Sequence, residues 1–483
     1  MSNTANLSAS KRIEALLDDN SFVEIGALVS ARNTDFNMTD KDTPSDGVIT
    51  GYGVINGNLV YVYSQDSGVM GGSIGEMHAK KIVRLYDMAM KMGAPVIGLV
   101  DSTGLRLQES TDALNAFGEI YMKQTLASGV IPQITAVFGN CGGGLGVFAG
   151  LTDYTLVEEN NGKLFINSPN TIEGNNASKC DTASAKFQYE AGNADFIADE
   201  VSIINRIREL VSILPANNED DGIFEDCTDD INRVCAELSN CVEDTAIALA
   251  NISDNNLLIQ TKEGYAKNMV TGFIKLNGIT VGAVANRTKV YDDEMNVVEE
   301  FESTLSPCAC DKATEFVNFC DAFNIPVLTL TNVTGFKACE CAEKKMMKAA
   351  AKLTYAFANA TVPKVNVVIG NAMGTPYVIM NSKAIGADVV YAWADAKIGM
   401  MDSKSAARIM YADEISASDD AVALINEKAS EYDALQSNIM SAAKRGYVDT
   451  IISPADTRKY VIAAFEMLYA KREERPAKKH GAV

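Results

Sequence analysis

The stretch PVIGLVDSTG at residues 95–104 returns as PVLTLTNVTG at residues 326–335, 231 positions on. The same offset relates Pro132 to Pro363, Gly139-Asn140 to Gly370-Asn371, and Gly143 to Gly374. A register held through two apolar runs and two glycine turns marks an internal duplication. Working outward, each copy opens on a hairpin pattern, at residues 47–66 and 269–288, with Thr-Gly and Asn-Gly at matching places between β-branched runs. There the offset is 221, so the second copy gains ten residues, placed by the spacing in the acidic, turn-rich stretch 289–311. Each copy continues with a helical pattern (79–92; 312–323), a buried strand (95–100; 326–330) and a turn carrying Gly104 or Gly335. A helix (111–127; 344–359), a strand (132–138; 363–369) and a second glycine turn before another helix complete it. Strands alternating with helices predict an α/β fold with covered sheets. The polar stretch PANNEDDG at residues 215–222 reads as the link between halves, and a cysteine-bearing helical stretch follows it.

The chain has 483 residues, 47% hydrophobic, enough for more than one core. Its formal net charge of −21 argues against nucleic acid and against an anionic membrane surface. The basic tail from Lys471-Arg472 to Lys478-Lys479 reads as a solvated end. No secretory signal pattern and no apolar run of membrane-spanning length is present, and ten scattered cysteines fit reduced thiols of a cytoplasmic protein. The pairs Cys308/Cys310 and Cys339/Cys341 lack zinc-ligand spacing, so no metal is expected.

The four glycine turns carry the chemistry. Backbone N–H groups aimed at a carbonyl oxygen stabilise the charge that develops there, and glycine lets ligand and backbone approach closely. The turns are 102–105 and 141–144 in the first copy, 333–336 and 373–376 in the second. Tight strand-to-helix packing also selects glycine, but four matched turns favour the chemical reading. Of the two histidines, His480 sits in the tail and His78 lacks a G-x-S-x-G elbow. No phosphate loop or dinucleotide fingerprint occurs. Backbone donors without a side-chain base suit enolate chemistry on a thioester.

With these turns the chain resembles the biotin-dependent acyl-CoA carboxyltransferases: propionyl-CoA carboxylase beta subunits, the large transcarboxylase subunit and methylmalonyl-CoA decarboxylase alpha subunits. The resemblance runs nearly end to end. It is carried by SFVEIGALV (21–29), DGVITGYG (46–53), GEMHAKKI (75–82), GAPVIGLVDSTGLRLQE (93–109) and GEIYMKQTLASGVIPQI (118–134). The second half adds AKNMVTGFIKLNG (266–278), FCDAFNIPVLTL (319–330), MNSKAIGAD (380–388), and RGYVDTII followed by DTRKY (445–460). The resemblance implies two tandem crotonase-like domains, an acyl-CoA domain over residues 1–250 and a biotin domain over 251–483. It implies that acyl-CoA sits on the first domain of one subunit while biotin approaches from the second domain of another. The enolate oxygen would be held at Gly104-Leu105 and Gly143-Gly144, and the biotin ureido oxygen at Gly335-Phe336 and Gly374-Thr375. Lys80, Lys81, Arg84 and Arg106 are the candidates for the coenzyme A phosphates, and Val378 for the acyl group. The implied partners are a biotin carboxyl carrier protein, with a biotin carboxylase or a membrane decarboxylase subunit beside it, in a homohexamer or another homo-oligomer.

Departures from the family pattern cluster in the second copy. Residues 332–339 read NVTGFKAC where the family has D-V-P-G-F-L-P-G, and residues 372–377 read AMGTPY where it has A-Y-G-G-A-Y. Pro376 has no N–H, so a donor at 376 is lost while one at Thr375 survives. Two alternatives follow: a biotin-independent crotonase-type decarboxylase or hydratase with Glu109 or Glu119 as acid/base, and a non-catalytic subunit kept for assembly.

Overall fold

The computed structural model describes residues 7–32, 36, 38, 41–220, 227–292, 294–476, 480 and 481. Lys478-Lys479 of the tail and Asp221-Gly222 of the link lie outside them.

The chain divides into two compact units, Met1–Ile223 and Phe224–Val483. In the first, β1 (Val48–Ile55) and β2 (Asn58–Gln65) form an antiparallel hairpin, followed in parallel by β3 (Val96–Ser102), β4 (Gln133–Gly142) and β5 (Tyr154–Glu158). The crossovers are α1 (Glu76–Met92) and α2 (Ser110–Ala127), and α3 (Gly144–Gly150) leaves the end of β4. α1 turns Ala79, Ile82, Leu85, Tyr86 and Ala89 inward at helical spacing, against Val96, Val100 and Val137 of the sheet and Phe117 and Ile120 of α2.

The second unit repeats this order. Helix α4 (Thr245–Ile252) precedes the hairpin β6 (Met269–Leu276) and β7 (Ile279–Asn286). Helix α5 (Pro307–Ala322) starts with proline at its first position and with Ser306 accepting the Ala309 N–H. β8 (Val327–Val333), helix α6 (Glu340–Asn359), β9 (Lys364–Met373), helix α7 (Gly374–Ile379) and β10 (Val389–Trp393) follow, with β7, β8, β9 and β10 parallel. The unit begins 27 residues before the 250/251 boundary read from the sequence. The reason is packing: Ala248, Leu249 and Ile252 of α4 share a core with Val270, Leu328, Val365 and Trp393 of the second sheet. Among the described residues no helix is long and apolar enough to cross a membrane.

The ten extra residues of the second copy form a hairpin of their own, Lys289–Tyr291 paired with Val297–Glu300, outside the main sheet. The 231 offset is restored just after it. Leu305 bridges to Phe336 as Ile74, 231 residues earlier, bridges to Leu105. Lys289 and Glu300 face each other across the hairpin, so removing residues 290–299 rejoins paired neighbours. That deletion is expected to lower the melting temperature by less than about 5 °C, because shortening a surface loop changes closure entropy little. Among the described residues its polar ties to the rest are those of Tyr291 with Glu243 and Asp244 and of Glu299 with Lys267. A fall of more than about 10 °C in a calorimetric scan would show the hairpin to be part of the core.

Candidate active site

The first pair of donors is made by two peptide planes turned outward. Gly104, at φ +99°, gives its own N–H to Ser102 Oγ at 3.1 Å. Its carbonyl accepts the Ile74 N–H at 2.8 Å, and Arg106 N donates back to the Ile74 carbonyl at 2.9 Å. A trans peptide sets N–H opposite C=O, so the Leu105 N–H points away from this bridge. At the end of β4, Gly143 adopts φ +62°, ψ −125°, a conformation that glycine tolerates. Its N–H is taken by the Phe165 carbonyl at 2.9 Å, and its own carbonyl accepts from Gly146 N at 3.0 Å. The Gly144 N–H, on the same peptide as that carbonyl, is thereby turned out at the start of α3. Among the described residues neither Leu105 N–H nor Gly144 N–H has an acceptor, and both residues are exposed. Of the two candidate pairs, Leu105 and Gly144 therefore offer donors, while the N–H groups of Gly104 and Gly143 are spent on the turns.

The second unit has the same frame. Lys337 N donates to the Leu305 carbonyl at 2.8 Å, so Phe336, one residue earlier in a parallel bridge, turns its N–H the other way. Gly335 occupies the place of Gly104 in the sequence but without its positive φ, while Gly374, at φ +63°, matches Gly143 in both. Thr375 stands 231 residues after Gly144, exposed in the first turn of α7, where helical N–H groups have no partner within the helix. Pro376 corresponds to Leu145, so its missing N–H is not the one at the Gly144 position. Supporting contacts also repeat: Gln65 Oε1 accepts the Asp101 N–H at 3.3 Å, and Asn286 Oδ1 accepts the Asn332 N–H at 3.2 Å.

The four candidate cations separate. Lys80 and Arg84 are exposed on one face of α1, with Lys80 Nζ 2.6 Å from Glu76 Oε1. Lys81 is buried. Its ammonium donates to Ser45 and to the Val48 carbonyl, and burial pulls its pKa down to about 8. The Arg106 side chain is 0% exposed and ion-paired to Asp46 at 2.6 Å and Glu109 at 2.8 Å. As whole residues Lys81 is 6% exposed and Arg106 1%, and protein oxygens take up both charges, which corrects their assignment to the coenzyme A phosphates. Their partner segment, residues 45–48, lies far off in sequence, and nothing local announces it. Arg32, which the sequence reading missed, is a further exposed cation here, paired with Glu76 at 3.0 Å and with Asp112. Val378 lies half-buried on α7.

Two of the three candidate side-chain bases of the first unit, His78 and Glu109, are sealed, and the third, Glu119, is open. His78 is 0% exposed, gives its Nδ1–H to the Asp46 carbonyl at 2.9 Å, and meets Gln65 through Nε2 at 3.2 Å. Burial first, then the Arg106 guanidinium, pushes its pKa down to about 3. Glu109 has both oxygens engaged, one by Arg106 and the other by the Glu76 N–H at 2.6 Å. Glu119 is exposed on α2, accepts from Asn115 at 3.1 Å, and lines an open groove with Val83, Met122 and Lys123.

A duplicated α/β fold with paired outward amides, and with His78 and Glu109 both sealed, defines a site that stabilises charge on carbonyl oxygens. The chain matches the family described as "Carboxyl transferase domain" over residues 3–483. It is 39% identical over 493 residues to the methylmalonyl-CoA decarboxylase subunit alpha of Propionigenium modestum, covering 99% of this chain and 93% of that protein. It is 39% identical over 490 residues, with the same coverage, to the carboxyltransferase subunit of propionyl-CoA carboxylase from Haloferax mediterranei. Among solved structures, the transcarboxylase 12S subunit, crystallised as a hexamer with hydrolysed methylmalonyl-coenzyme A bound, superposes with a TM-score of 0.92 at 37% identity, over 99% of this chain and 92% of that one. The chain belongs to the carboxyl transferase domain family, with that family's tandem crotonase-like fold, and is an enzyme of carboxyl transfer.

His78 gives the site a pH signature. Its folded pKa of about 3 lies below the ordinary 6.5, so between these values the unfolded chain binds a proton that the folded chain refuses. The stabilisation is complete above pH ~6.5 and is lost as pH falls toward ~3, with a slope approaching about 1.4 kcal/mol per pH unit. Denaturant titrations of His78→Gln beside the parent, which share Asp46, Lys81 and Arg106, should show a shallower slope in the variant. Equal slopes would mean that His78 titrates alike in both states.

Proposed function

We propose that this enzyme moves a carboxyl group between biotin on a separate carrier protein and a small acyl-CoA of the propionyl/methylmalonyl type. The observation that carries this reading is the doubled set of outward amides, Leu105 with Gly144 and Phe336 with Thr375. A carboxyl exchange between two carbonyl compounds has two oxygens on which charge develops, and each pair serves one. In the first unit the Leu105 and Gly144 N–H groups hold the thioester oxygen as the α-carbon becomes nucleophilic. In the second, the Phe336 and Thr375 N–H groups receive the ureido oxygen, and both residues fit that task because each keeps its N–H and a half-buried or open setting. When bound, biotin would supply the carboxyl group at a ureido nitrogen and take up the α-proton there, one C–N bond breaking as one C–C bond forms; in the reverse direction that nitrogen would give the proton back to the α-carbon as the C–C bond breaks and the C–N bond forms. No side-chain base is required in either direction. That agrees with a His78 held neutral and a Glu109 closed by Arg106.

Of the two acidic residues that a hydratase could use, Glu109 is closed by Arg106 and the Glu76 N–H while Glu119 stays open on its helix, and Pro376 leaves the Thr375 donor in place. The closed Glu109 and the surviving Thr375 donor weigh against the biotin-independent and non-catalytic alternatives. Lys80, Arg84 and Arg32 present cations for the coenzyme A phosphates, and Val378 limits the acyl group. The working form is a cytoplasmic homo-oligomer, a hexamer as described for the transcarboxylase 12S subunit, in which one copy's acyl-CoA unit meets another copy's biotin unit. A biotin carboxyl carrier protein is the partner, with a biotin carboxylase or a membrane decarboxylase subunit completing the complex.

The test is methylmalonyl-CoA-dependent carboxylation of free biotin. Thr375→Pro and Gly144→Pro each remove one donor and should lower kcat by roughly 10²–10³. Pro376→Ala should stay within about threefold of the parent, since the amide that alanine restores at 376 stands at the Leu145 position and not at the Gly144 position that supplies the donor. A parent enzyme that binds methylmalonyl-CoA yet transfers nothing to biotin contradicts the proposal.

A further inference from the structure

The amide of Leu105 is held by an apparatus that the second unit lacks. The guanidinium of Arg106 reaches four oxygens: Ser73 Oγ from Nε at 3.3 Å, the Ser73 carbonyl from Nη2 at 2.7 Å, and Asp46 Oδ1 and Glu109 Oε1 from Nη1 at 2.6 and 2.8 Å. The other carboxylate oxygens cap the start of α1. Asp46 Oδ2 accepts the His78 N–H at 2.7 Å and Glu109 Oε2 the Glu76 N–H at 2.6 Å. Two carboxylates around one guanidinium leave an excess negative charge, and the N-terminal N–H groups of a 17-residue helix offset it. Gly75 makes the room. A Cβ there would lie 2.4 Å from Glu109 Oε1 and 2.6 Å from Arg106 Nη1.

The cluster grips the backbone on both sides of the donor. Arg106 belongs to the donor turn and holds Ser73. The next residue, Ile74, fixes the Gly104 carbonyl and hence the peptide that carries the Leu105 N–H. In the second unit the residue 231 positions on from Arg106 is Lys337, 45% exposed and 3.6 Å from Glu302. The counterpart of Glu109 is Glu340, 88% exposed, and the counterpart of Asp46, at the 221 offset, is Lys267. There the turn keeps only the backbone tie that the first unit also has, the Thr334 N–H to the Ser303 carbonyl at 2.7 Å as Thr103 N–H to the Gly71 carbonyl at 3.0 Å, with the Thr334 Oγ1–H added at 2.7 Å.

Buried ion clusters are weak contributors to stability, because apolar side chains of equal volume often replace them without loss. What an apolar replacement does not reproduce is direction. The geometry points to Arg106 as a positioning residue for the acyl-CoA side, aiming the Leu105 N–H at the oxygen that gains charge, with Asp46 and Glu109 keeping the guanidinium in place. This rests on the function proposed above for the Leu105 amide. The two donor pairs thus differ in stiffness, the acyl side set by a buried cluster and the biotin side by backbone and hydroxyl contacts.

Arg106→Met, Arg106→Lys and Glu109→Gln test it in the full-length enzyme through two readouts: steady-state kinetics with methylmalonyl-CoA and free biotin, and amide hydrogen exchange of residues 102–107 against 333–338. Arg106→Met should lose roughly 30- to 100-fold in kcat, the scale of an ångström's misplacement, with KM for methylmalonyl-CoA within about threefold. Exchange should quicken over residues 102–107 alone, and Arg106→Lys should fall between. Glu109→Gln, which keeps an oxygen for the Glu76 N–H, should lower kcat evenly from about pH 6 to 9, whereas an acid/base role would remove one limb of the profile. It carries the same prediction should Arg106→Met not fold. An unchanged kcat, a rise in KM alone, or exchange quickened equally at both segments overturns the assignment. Should the parent transfer no carboxyl group to biotin, the proposed function falls. The exchange comparison then decides the clamp by itself: faster exchange over residues 102–107 upholds it, and unchanged exchange overturns it.

Discussion

Every second amide of a strand in a parallel ladder faces away from its partner, and at a strand's end nothing need lie on the other side. The structure depends on that rule at two places. A single bridge, Ile74 with Leu105 and its repeat Leu305 with Phe336, fixes the carbonyl of one peptide and so turns the N–H of that same peptide outward. The glycine turn after the following strand does the same for Gly144. The sheets, crossovers and cores described above deliver these peptides in fixed directions, and in the proposed function the chemistry falls to backbone more than to side chains. It agrees with this that His78 and Glu109 are sealed.

Equivalent backbones have been supported unequally. The first unit sets its turn with a buried guanidinium and two carboxylates. The second has exposed lysine and glutamate at two of the corresponding positions and keeps only the backbone tie, there to Ser303, with the Thr334 hydroxyl added. The second unit also carries the Lys289–Glu300 hairpin just before the strand that bridges to Phe336. A duplicated chain that must handle two different carbonyl compounds needs the same donors in each half and different surroundings for them.

Much of this was legible in the sequence. The 231-residue offset located both turns in both copies, and the change to 221 located the insertion to within the stretch where the hairpin lies. Strand and helix positions followed from apolar periodicity and from the prolines and glycines that bound them. What periodicity could not separate was Gly104 from Leu105, or Gly143 from Gly144, since the choice depends on Ile74 and Phe165, which come from other parts of the chain. The same holds for the cations. Lys81 and Arg106 look like phosphate ligands on a helix and beside a turn, and only their contacts with residues 45–48 and with Asp46 turn them inward. The unit boundary moved for a related reason, because the affiliation of α4 is set by the sheet it covers and not by the polar link before it.

The most direct measurement is a crystal structure with a hydrolysis-resistant methylmalonyl-CoA analogue and biotin bound together. The account predicts the acyl carbonyl oxygen within about 3 Å of the Leu105 and Gly144 nitrogens and the ureido oxygen within about 3 Å of the Phe336 and Thr375 nitrogens. An acyl oxygen held by side chains instead, or biotin bound away from the Phe336 and Thr375 amides, would contradict it.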